Sequence, residues 1–477
     1  MNIISLEFAV LSVASIIMFY LLPGRFRVLF LTALSCAFIA LMSYPGLIYV
    51  SFYAIVNYFL GLRIAESQNR LVPYRVGIIF NLLQLVLLRY SSFAIDPAFK
   101  VLGSTLQASL LSEIIIPIGI SYFTLQGIGY LINVKMGWEK PERNFMDFFL
   151  YIVFYPKFLS GPIERSNHFL PQLKKRGLFD DSKVSLGLRI ALFGFFKKIA
   201  IANQLAPFVT ETYSNLSLAD GSSLWLVLIL QPVYLYFDFS GYTDIAIGFA
   251  KAFGIELLPN FNRPFFSENV TTFWKRFHMS LSLWFNDYIF RQTSFRRRKW
   301  GIFASTYAVF VTFTLFGIWH GAGWNFMILG LLQALAINYE FFTRKIRLRL
   351  FSLTGDFFRV WAGRTATYLF YAVSLVFFFS PDIESTGLFF SKLFTYDRSI
   401  LDIIIQKIPF SSIAFIIILF FTEYIQNDGK LMKEKLDLLW SGEGRKQVII
   451  RWLIYAFTLT AILVLGNKAQ QFIYTQF

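Results

Sequence analysis

Long apolar runs recur along the whole chain, and they constrain the fold more than any other feature of the sequence. About 20 apolar residues cross the hydrocarbon of a bilayer as a helix, because lipid offers an exposed backbone no hydrogen-bond partner. The candidate spans are roughly residues 3–22, 28–43, 46–61, 76–90, 112–133, 190–213, 223–250, 302–320, 323–341, 365–380, 410–426 and 448–466. Several are short or interrupted, so about eleven to thirteen spans are expected. The sequence therefore predicts an all-α, polytopic integral membrane protein forming one domain over residues 1–477.

The composition supports this class. Of 477 residues, 56% are hydrophobic and 15% are charged, whereas a soluble domain carries about 25% charged residues. The net charge of +16 fits Lys and Arg concentrated in cytoplasmic loops near anionic lipid, so no nucleic-acid partner is expected. The single cysteine, Cys36, excludes an intramolecular disulfide and a thiolate metal cluster.

Basic residues alternate with the candidate spans and predict the orientation of the chain. They follow the first, third and ninth spans, crowd the segments 164–189 and 251–301, and precede the last span. The alternate loops are poorer in positive charge, as in segment 381–409. Because cytoplasmic loops carry the excess of Lys and Arg, both termini are predicted to lie outside.

Two segments between spans are candidates for special structure. Segment 145–163 is apolar but broken by Pro156, Gly161 and Pro162, which predicts a re-entrant element whose backbone protein or water must cover. In the segment 251–301, apolar residues recur with helical spacing at Trp274, His278, Leu281, Phe285 and Tyr288. This spacing predicts an amphipathic helix with His278 on its apolar face.

Only three histidines are present, and imidazole is the side chain that titrates nearest neutral pH. His320 lies in an apolar run flanked by glycines, in the block Phe316–Trp324. An ionisable side chain there faces either a protein interior or a watery cavity, so a structural and a catalytic role both remain open. His278 carries the same two interpretations. His168 lies in a polar segment and is predicted to be a solvated loop residue.

Two carboxylates, Asp238 and Asp244, also fall inside an apolar run. Buried carboxylates in a membrane need a partner or a cavity. A structural bond to a basic residue such as Arg263 or Arg276 is expected for at least one of them. The alternative from another class is a transporter or flippase with a proton relay, which predicts pseudo-symmetric halves that the sequence does not display. The sequence carries no metal-binding signature.

Four blocks together resemble the membrane-bound O-acyltransferase family, in its bacterial alginate O-acetylation branch. They are Phe154–Arg165, Phe237–Gly248, Asn260–Tyr288 and Phe316–Trp324, with core motifs over residues 145–341 and a similar ending at Phe472–Phe477. The resemblance implies a central cavity, His320 as the catalytic base and His278 as a second essential residue. This chain departs from the branch at Lys157, where the pattern often has glutamine.

The resemblance further implies that the protein transfers an acyl group, namely acetyl. The donor would be a cytoplasmic thioester such as acetyl-CoA, and the acceptor a hydroxyl outside the bacterial inner membrane. No bound cofactor is expected. The expected oxyanion donors are Trp319, Trp324, Asn325 or His278 itself. The expected phosphate ligands are Arg263, Lys275, Arg276 and the basic run 296–299, although positive-inside topology explains these residues equally well. A separate periplasmic or extracellular SGNH-type acyltransferase is the expected partner. Peptidoglycan O-acetylation and D-alanyl transfer to teichoic acid remain alternatives.

Overall fold

A computed structural model describes residues 5–90, 119–175, 179–351, 354–395 and 399–466. Nine helices in these ranges are long and apolar enough to cross a membrane. They are α2 (Gly24–Met42), α3 (Tyr44–Glu66), α4 (Leu71–Leu88), α10 (Gly221–Ala252), α14 (Ile302–His320), α15 (Trp324–Phe351), α16 (Asp356–Phe379), α19 (Phe410–Asp428) and α21 (Arg445–Leu465). The prediction of an all-α polytopic membrane protein is confirmed.

Shorter helices connect or brace these spans. They are α1 (Leu6–Leu21), α5 (Ile120–Met136), α6 (Phe145–Val153), α7 (Ser166–Lys174), α8 (Asp181–Phe196), α9 (Asn203–Ser214), α11 (Val270–Trp274), α12 (Met279–Phe285), α13 (Arg291–Arg296), α17 (Ile383–Lys392), α18 (Ile400–Lys407) and α20 (Lys430–Ser441). The predicted span 112–133 begins outside the described residues, and its described part is α5. The ending at Phe472–Phe477 also lies outside them.

Helix α10 is the centre of the fold, and 78% of its most apolar window is buried inside the protein. It packs along α8 through small residues on both helices. A Cβ added at Gly194 would lie 2.7 Å from the carbonyl oxygen of Gly241, and one added at Gly187 would lie 2.5 Å from that of Gly248. Small residues at such a seam let two helix backbones approach closely. At the periphery, α21 has only 6% of its window buried, as a lipid-facing helix would.

The segment after α6 leaves helical geometry, as its Pro and Gly residues predict. Helix α6 ends at Val153, and a series of turns follows. Every residue from Tyr151 to Glu164 is buried. Non-helical backbone at membrane depth is tolerated only under a cover of protein or water, and here the protein supplies that cover.

The prediction of one continuous amphipathic helix around His278 is wrong. Helix α11 ends at Trp274 and α12 begins at Met279, with a tight turn between them. A five-residue π-helix, Asn286–Phe290, then leads into α13. The residues with helical spacing are still buried, but two short helices and a break bring them there. A periodic pattern shows which residues are buried, but it cannot show that the helix is interrupted within the pattern.

A buried histidine pair as the candidate active site

His320 is the last residue of α14, and its side chain is buried. The final carbonyl groups of an α-helix lack partners within the helix. Two residues that follow α4 supply partners for the end of α14. Arg89 donates from Nη2 to the His320 carbonyl at 3.0 Å, and the Tyr90 hydroxyl donates to the Ile318 carbonyl at 2.9 Å. These bonds anchor the backbone that carries the His320 ring.

His278 is fully buried and occupies the left-handed region of backbone space, at φ 46°. It lies in the turn immediately before α12. Left-handed residues other than glycine are uncommon and cluster at functional sites, where the surrounding structure must hold them. Arg263, at φ 47°, is the other such residue in the described part of the chain, and it follows closely on Phe261, whose segment pairs with this turn.

That pairing consists of two short extended segments. Phe261 and Phe277 form an isolated antiparallel bridge. The Asn262 amide donates to the Arg276 carbonyl, and the Met279 amide donates to the Asn260 carbonyl, each at 2.9 Å. The turn that carries His278 is therefore tied on both sides to one four-residue segment, 260–263.

The buried turn after α6 is joined to the same place. The Ile163 amide donates to Ser280 Oγ at 3.0 Å, and Ser280 Oγ donates to Asn260 Oδ1 at 2.9 Å. Farther along, Glu164 accepts a hydrogen bond from the Leu258 amide at 2.5 Å. Blocks that are over 90 residues apart in sequence thus meet around His278.

His278 and His320 line the same cavity, of about 20 Å³. A space of this size holds roughly one water molecule. The remaining lining is apolar or aromatic: Leu235, Trp274, Phe277, Phe316, Leu329, Tyr371, Leu375 and Phe378. The two imidazoles therefore face one enclosed and largely apolar space, in which electrostatic interactions are weakly screened.

Of the predicted oxyanion donors, only His278 lines this cavity. The indole N–H of Trp319 donates to the Ser121 carbonyl at 3.4 Å. The Trp319 ring packs against both imidazoles, with centroid distances of 6.2 Å to His278 and 5.0 Å to His320. Trp324 is 59% exposed at the start of α15. Asn325 donates to the carbonyl groups of Phe377 and Ser380 at 3.0 and 2.8 Å, which ties α15 to the end of α16.

Both intramembrane carboxylates bind a basic residue, as expected, and in each case the partner is a lysine. Asp238 forms an ion pair with Lys198, and both side chains are almost completely buried. Asp244 pairs with Lys197 at 2.8 Å. Both lysines lie in a π-helix, Lys197–Ala202, that continues α8. The predicted bond to a basic residue is therefore confirmed for both aspartates, with lysines in place of Arg263 or Arg276.

The predicted phosphate ligands are divided between two environments. Three consecutive residues at the end of α19 each bind one arginine: Gln426 binds Arg263, Asn427 binds Arg276 and Asp428 binds Arg364, at 3.2, 3.2 and 2.7 Å. Burial and the neighbouring guanidinium groups lower the pKa of Arg276. Cations at a helix C-terminus also complement its dipole.

We call Arg263, Arg276 and Arg364 the arginine cluster. Lys275, next to it in sequence, is exposed. The basic run 296–299 lies at the end of α13 and in the turn before α14, also largely exposed.

The third histidine lies outside the cavity. His168 is in helix α7 and not in a loop as predicted, and its Nδ1 lies 2.8 Å from a carboxylate oxygen of the buried Glu164. This hydrogen bond raises the pKa of His168. Nearby, Lys157, the point of departure from the family pattern, is fully buried and donates to Gln126 and to the Tyr151 carbonyl.

Four residues of the site were not singled out from the sequence. Arg89, Lys197 and Lys198 lie inside predicted spans, so their charge in an apolar run was a usable signal. Asn260 gave no such signal, because its importance comes from a turn that only the folded chain reveals.

The fold and the site define a polytopic helical membrane protein whose two buried imidazoles meet in an enclosed cavity. The profile of the MBOAT family, the membrane-bound O-acyltransferases, matches residues 141–380 of this chain. The chain therefore belongs to that family, and every block around the cavity from Phe154 to Trp324 lies within the match.

Three curated relatives illustrate the range of the family near this chain. "Probable alginate O-acetylase AlgI" of Azotobacter vinelandii is 33% identical over 319 residues, 66% of this chain and 63% of that protein. "Peptidoglycan O-acetyltransferase" of Helicobacter pylori is 30% identical over 366 residues, 69% and 67% of the two chains. "Teichoic acid D-alanyltransferase" of Bacillus subtilis is 32% identical over 235 residues, 48% and 60%. The chain spans 60–65% of the length of three alginate-type relatives that it matches.

Proposed function

We propose that this protein is a membrane O-acyltransferase that moves an acyl group, acetyl, from a thioester donor to a hydroxyl acceptor. The observation that carries the proposal is the shared cavity, in which the imidazoles of His278 and His320 face one enclosed space. The relatives' names support the same reaction type, since each describes transfer of an acyl group.

In the proposed step, His320 accepts the proton of the acceptor hydroxyl as its oxygen attacks the thioester carbonyl. A carbon–oxygen bond forms and the carbon–sulfur bond breaks. The departing thiolate takes the proton back from the imidazolium, so the products are an ester and a free thiol. The largely apolar, aromatic lining suits this chemistry because it leaves little room for water that would hydrolyse the thioester.

The donor in this proposal is acetyl-CoA, approaching from the cytoplasmic side. The arginine cluster supports it, because three guanidinium groups gather around Asp428 and Glu268 with one positive charge in excess. Phosphate groups would find charge-assisted hydrogen bonds there. The exposed Lys275 and the basic run 296–299 extend the positive surface.

The acceptor is proposed to be a glycan hydroxyl, or the hydroxyl of a separate SGNH-type acyltransferase that relays the acetyl group outside the bacterial inner membrane. The alginate and peptidoglycan relatives support a polymer acceptor. D-alanyl transfer is a second candidate, because a teichoic acid relative matches 48% of the chain. It requires an acylated carrier protein as donor. The two are separated by offering purified protein labelled acetyl-CoA or labelled D-alanyl carrier protein.

The proposal is tested with the three histidines, each replaced by glutamine. Purified variants in detergent are assayed for release of CoA thiol from acetyl-CoA, and complemented cells for acetyl esters on surface glycans. Loss of a positioned acid–base group costs about 10²–10⁴-fold in rate, so His320→Gln and His278→Gln should fall by that factor. His168→Gln is the matched control and should keep its activity. A fully active, folded His320→Gln would refute the proposal.

A further inference from the structure

The side chain of Asn260 faces His278 from the paired segment 260–263. Its Oδ1 atom lies 3.1 Å from His278 Nδ1. The same oxygen accepts the Ser280 amide at 3.2 Å and Ser280 Oγ at 2.9 Å. All of these groups are buried. Three polar groups of the turn that carries His278 therefore converge on one amide oxygen.

The orientation of the Asn260 amide is determined by its partners. A backbone N–H can only donate, so the atom facing the Ser280 amide must be the acceptor oxygen. The opposite end of the amide, Nδ2, faces Thr243 Oγ1 at 3.4 Å, a hydroxyl that can accept. Rotating the amide by 180° would set its N–H groups against the Ser280 N–H and leave buried donors facing each other.

We propose that Asn260 is a positioning residue that holds His278 in the tautomer protonated at Nδ1, so that the Nε2 lone pair faces the cavity shared with His320. The reasoning is that an acceptor oxygen at Nδ1 requires a proton on that nitrogen, and a neutral imidazole then carries its lone pair on the other one. Nε2 is buried and has no hydrogen-bond partner among the described residues. It is thus available to a ligand in the cavity.

This assignment deepens the proposed function and rests on it for its catalytic meaning. His278 enters the reaction as a hydrogen-bond acceptor, for the incoming hydroxyl or for His320. It cannot donate to an oxyanion unless it first takes a proton, which removes it from the set of oxyanion donors expected in the resting site. The left-handed backbone at His278 and the paired segment 260–263 serve to place the ring against Asn260.

The tautomer can be measured without any acyl transfer. The chain contains three histidines, so ¹⁵N-histidine labelling of the full-length protein in nanodiscs gives three imidazole spin systems. His168→Gln and His320→Gln assign the third system to His278. The expected result is a protonated, pyrrole-like Nδ1 and a bare, pyridine-like Nε2 for His278. A protonated Nε2 in the folded wild-type protein, as the other tautomer or as imidazolium, would overturn the inference.

Substitutions of Asn260 then test the cause. Asn260→Asp keeps an acceptor oxygen and should keep Nδ1 protonated, whereas Asn260→Leu should release the ring to a mixture of tautomers. With acetyl-CoA, the leucine variant should lose about 10²-fold in kcat with little change in KM, and the aspartate variant should lose less. An unchanged His278 spectrum in Asn260→Leu would also overturn it.

If Asn260→Leu does not fold, the wild-type and aspartate spectra still decide the assignment. If the tautomer is as expected but His278→Gln remains active, the proposed function of His278 fails and the positioning by Asn260 stands.

Discussion

Glu139, in the loop after α5, shows how burial can make a single carboxyl sensitive to pH. Its side chain accepts a hydrogen bond from Ser166 and lines an open cavity of about 430 Å³ with Arg70 and Lys140. Burial raises the pKa of Glu139 to about 7, against the hydrogen bonds from Ser166 and Asn133, and the neighbouring Glu142 adds to the rise. Its ordinary pKa is 4.5. The folded protein therefore binds this proton over a pH range in which an unfolded chain has released it.

A raised carboxyl pKa lowers stability as pH rises. Stability from this group is full below pH 4.5, declines between 4.5 and about 7, and is lost above that. Glu139→Gln imitates the protonated form, so its free energy of unfolding in detergent should match the wild type near pH 4 and exceed it by roughly 1–3 kcal/mol at pH 8. The melting temperature should show the same difference in sign. Because both proteins contain His168, its titration cancels in the difference. The exposed Glu256→Gln is the control, and a difference independent of pH would contradict the prediction.

The functional residues of the candidate site also differ in how readily they can be predicted from the sequence. Two imidazoles in apolar surroundings could be selected from the sequence because such groups are scarce and costly in a membrane. The arginine cluster could be named only in part, since Arg364 becomes a member through α19. Asn260 could not be found, because asparagine is ordinary in sequence and its role depends on a left-handed histidine turn.

At the scale of elements, the seam between α8 and α10 determines where the intramembrane charges lie. Gly194 and Gly241 contact each other across the two helices, and a Cβ at Gly241 would lie 2.9 Å from the backbone nitrogen of Lys198. This approach brings the π-helix Lys197–Ala202 onto α10, where its two lysines meet Asp244 and Asp238. The apolar runs predicted both helices, but a π-helix inside a run leaves no periodic signal that would reveal it.

Gly248 tests the seam. An added Cβ would lie 2.5 Å from the Ala191 nitrogen and 2.6 Å from the Gly187 carbonyl oxygen, both backbone atoms of α8. Gly248→Ala must therefore push the helices apart, and overpacking of this kind costs about 1–3 kcal/mol. We expect a lower melting temperature in detergent and a lower yield of folded protein.

The matched control is Gly387→Ala, on the exposed surface of α17, where an added Cβ meets nothing within 4 Å. Alanine is the better helix former, so this variant should be unchanged or slightly more stable. Equal melting temperatures for the two variants would show that the seam tolerates a methyl group and that close approach is not needed.

At the scale of the whole molecule, the sequence predicts the membrane spans but not how they assemble around the site, and the reason is physical. Spans follow from length and hydropathy, because lipid enforces a helix wherever the backbone is exposed to it. The assembly of α14, α15 and α16 around the turn at His278 follows from side-chain packing and backbone bonds between distant blocks, and no local pattern encodes these. Trp324 shows the difference, since it lies in the same block as His320 but points away from the cavity.

The predicted orientation is the property of the whole chain that remains to be measured, and one cysteine makes this practical. In a Cys36→Ser background, a single cysteine replaces Gln68, in the basic loop between α3 and α4, or Glu384, in α17 on the opposite predicted side. Both positions are exposed. Because Lys and Arg mark the cytoplasmic face, a membrane-impermeant maleimide should label position 384 but not 68 in right-side-out vesicles, and the reverse in inverted vesicles.

Detergent-opened vesicles, in which both sites should react, serve as the control. Labelling of both positions from the same side would mean that the helices between them cross the membrane an even number of times, and the donor and acceptor faces of the site would then have to be reassigned.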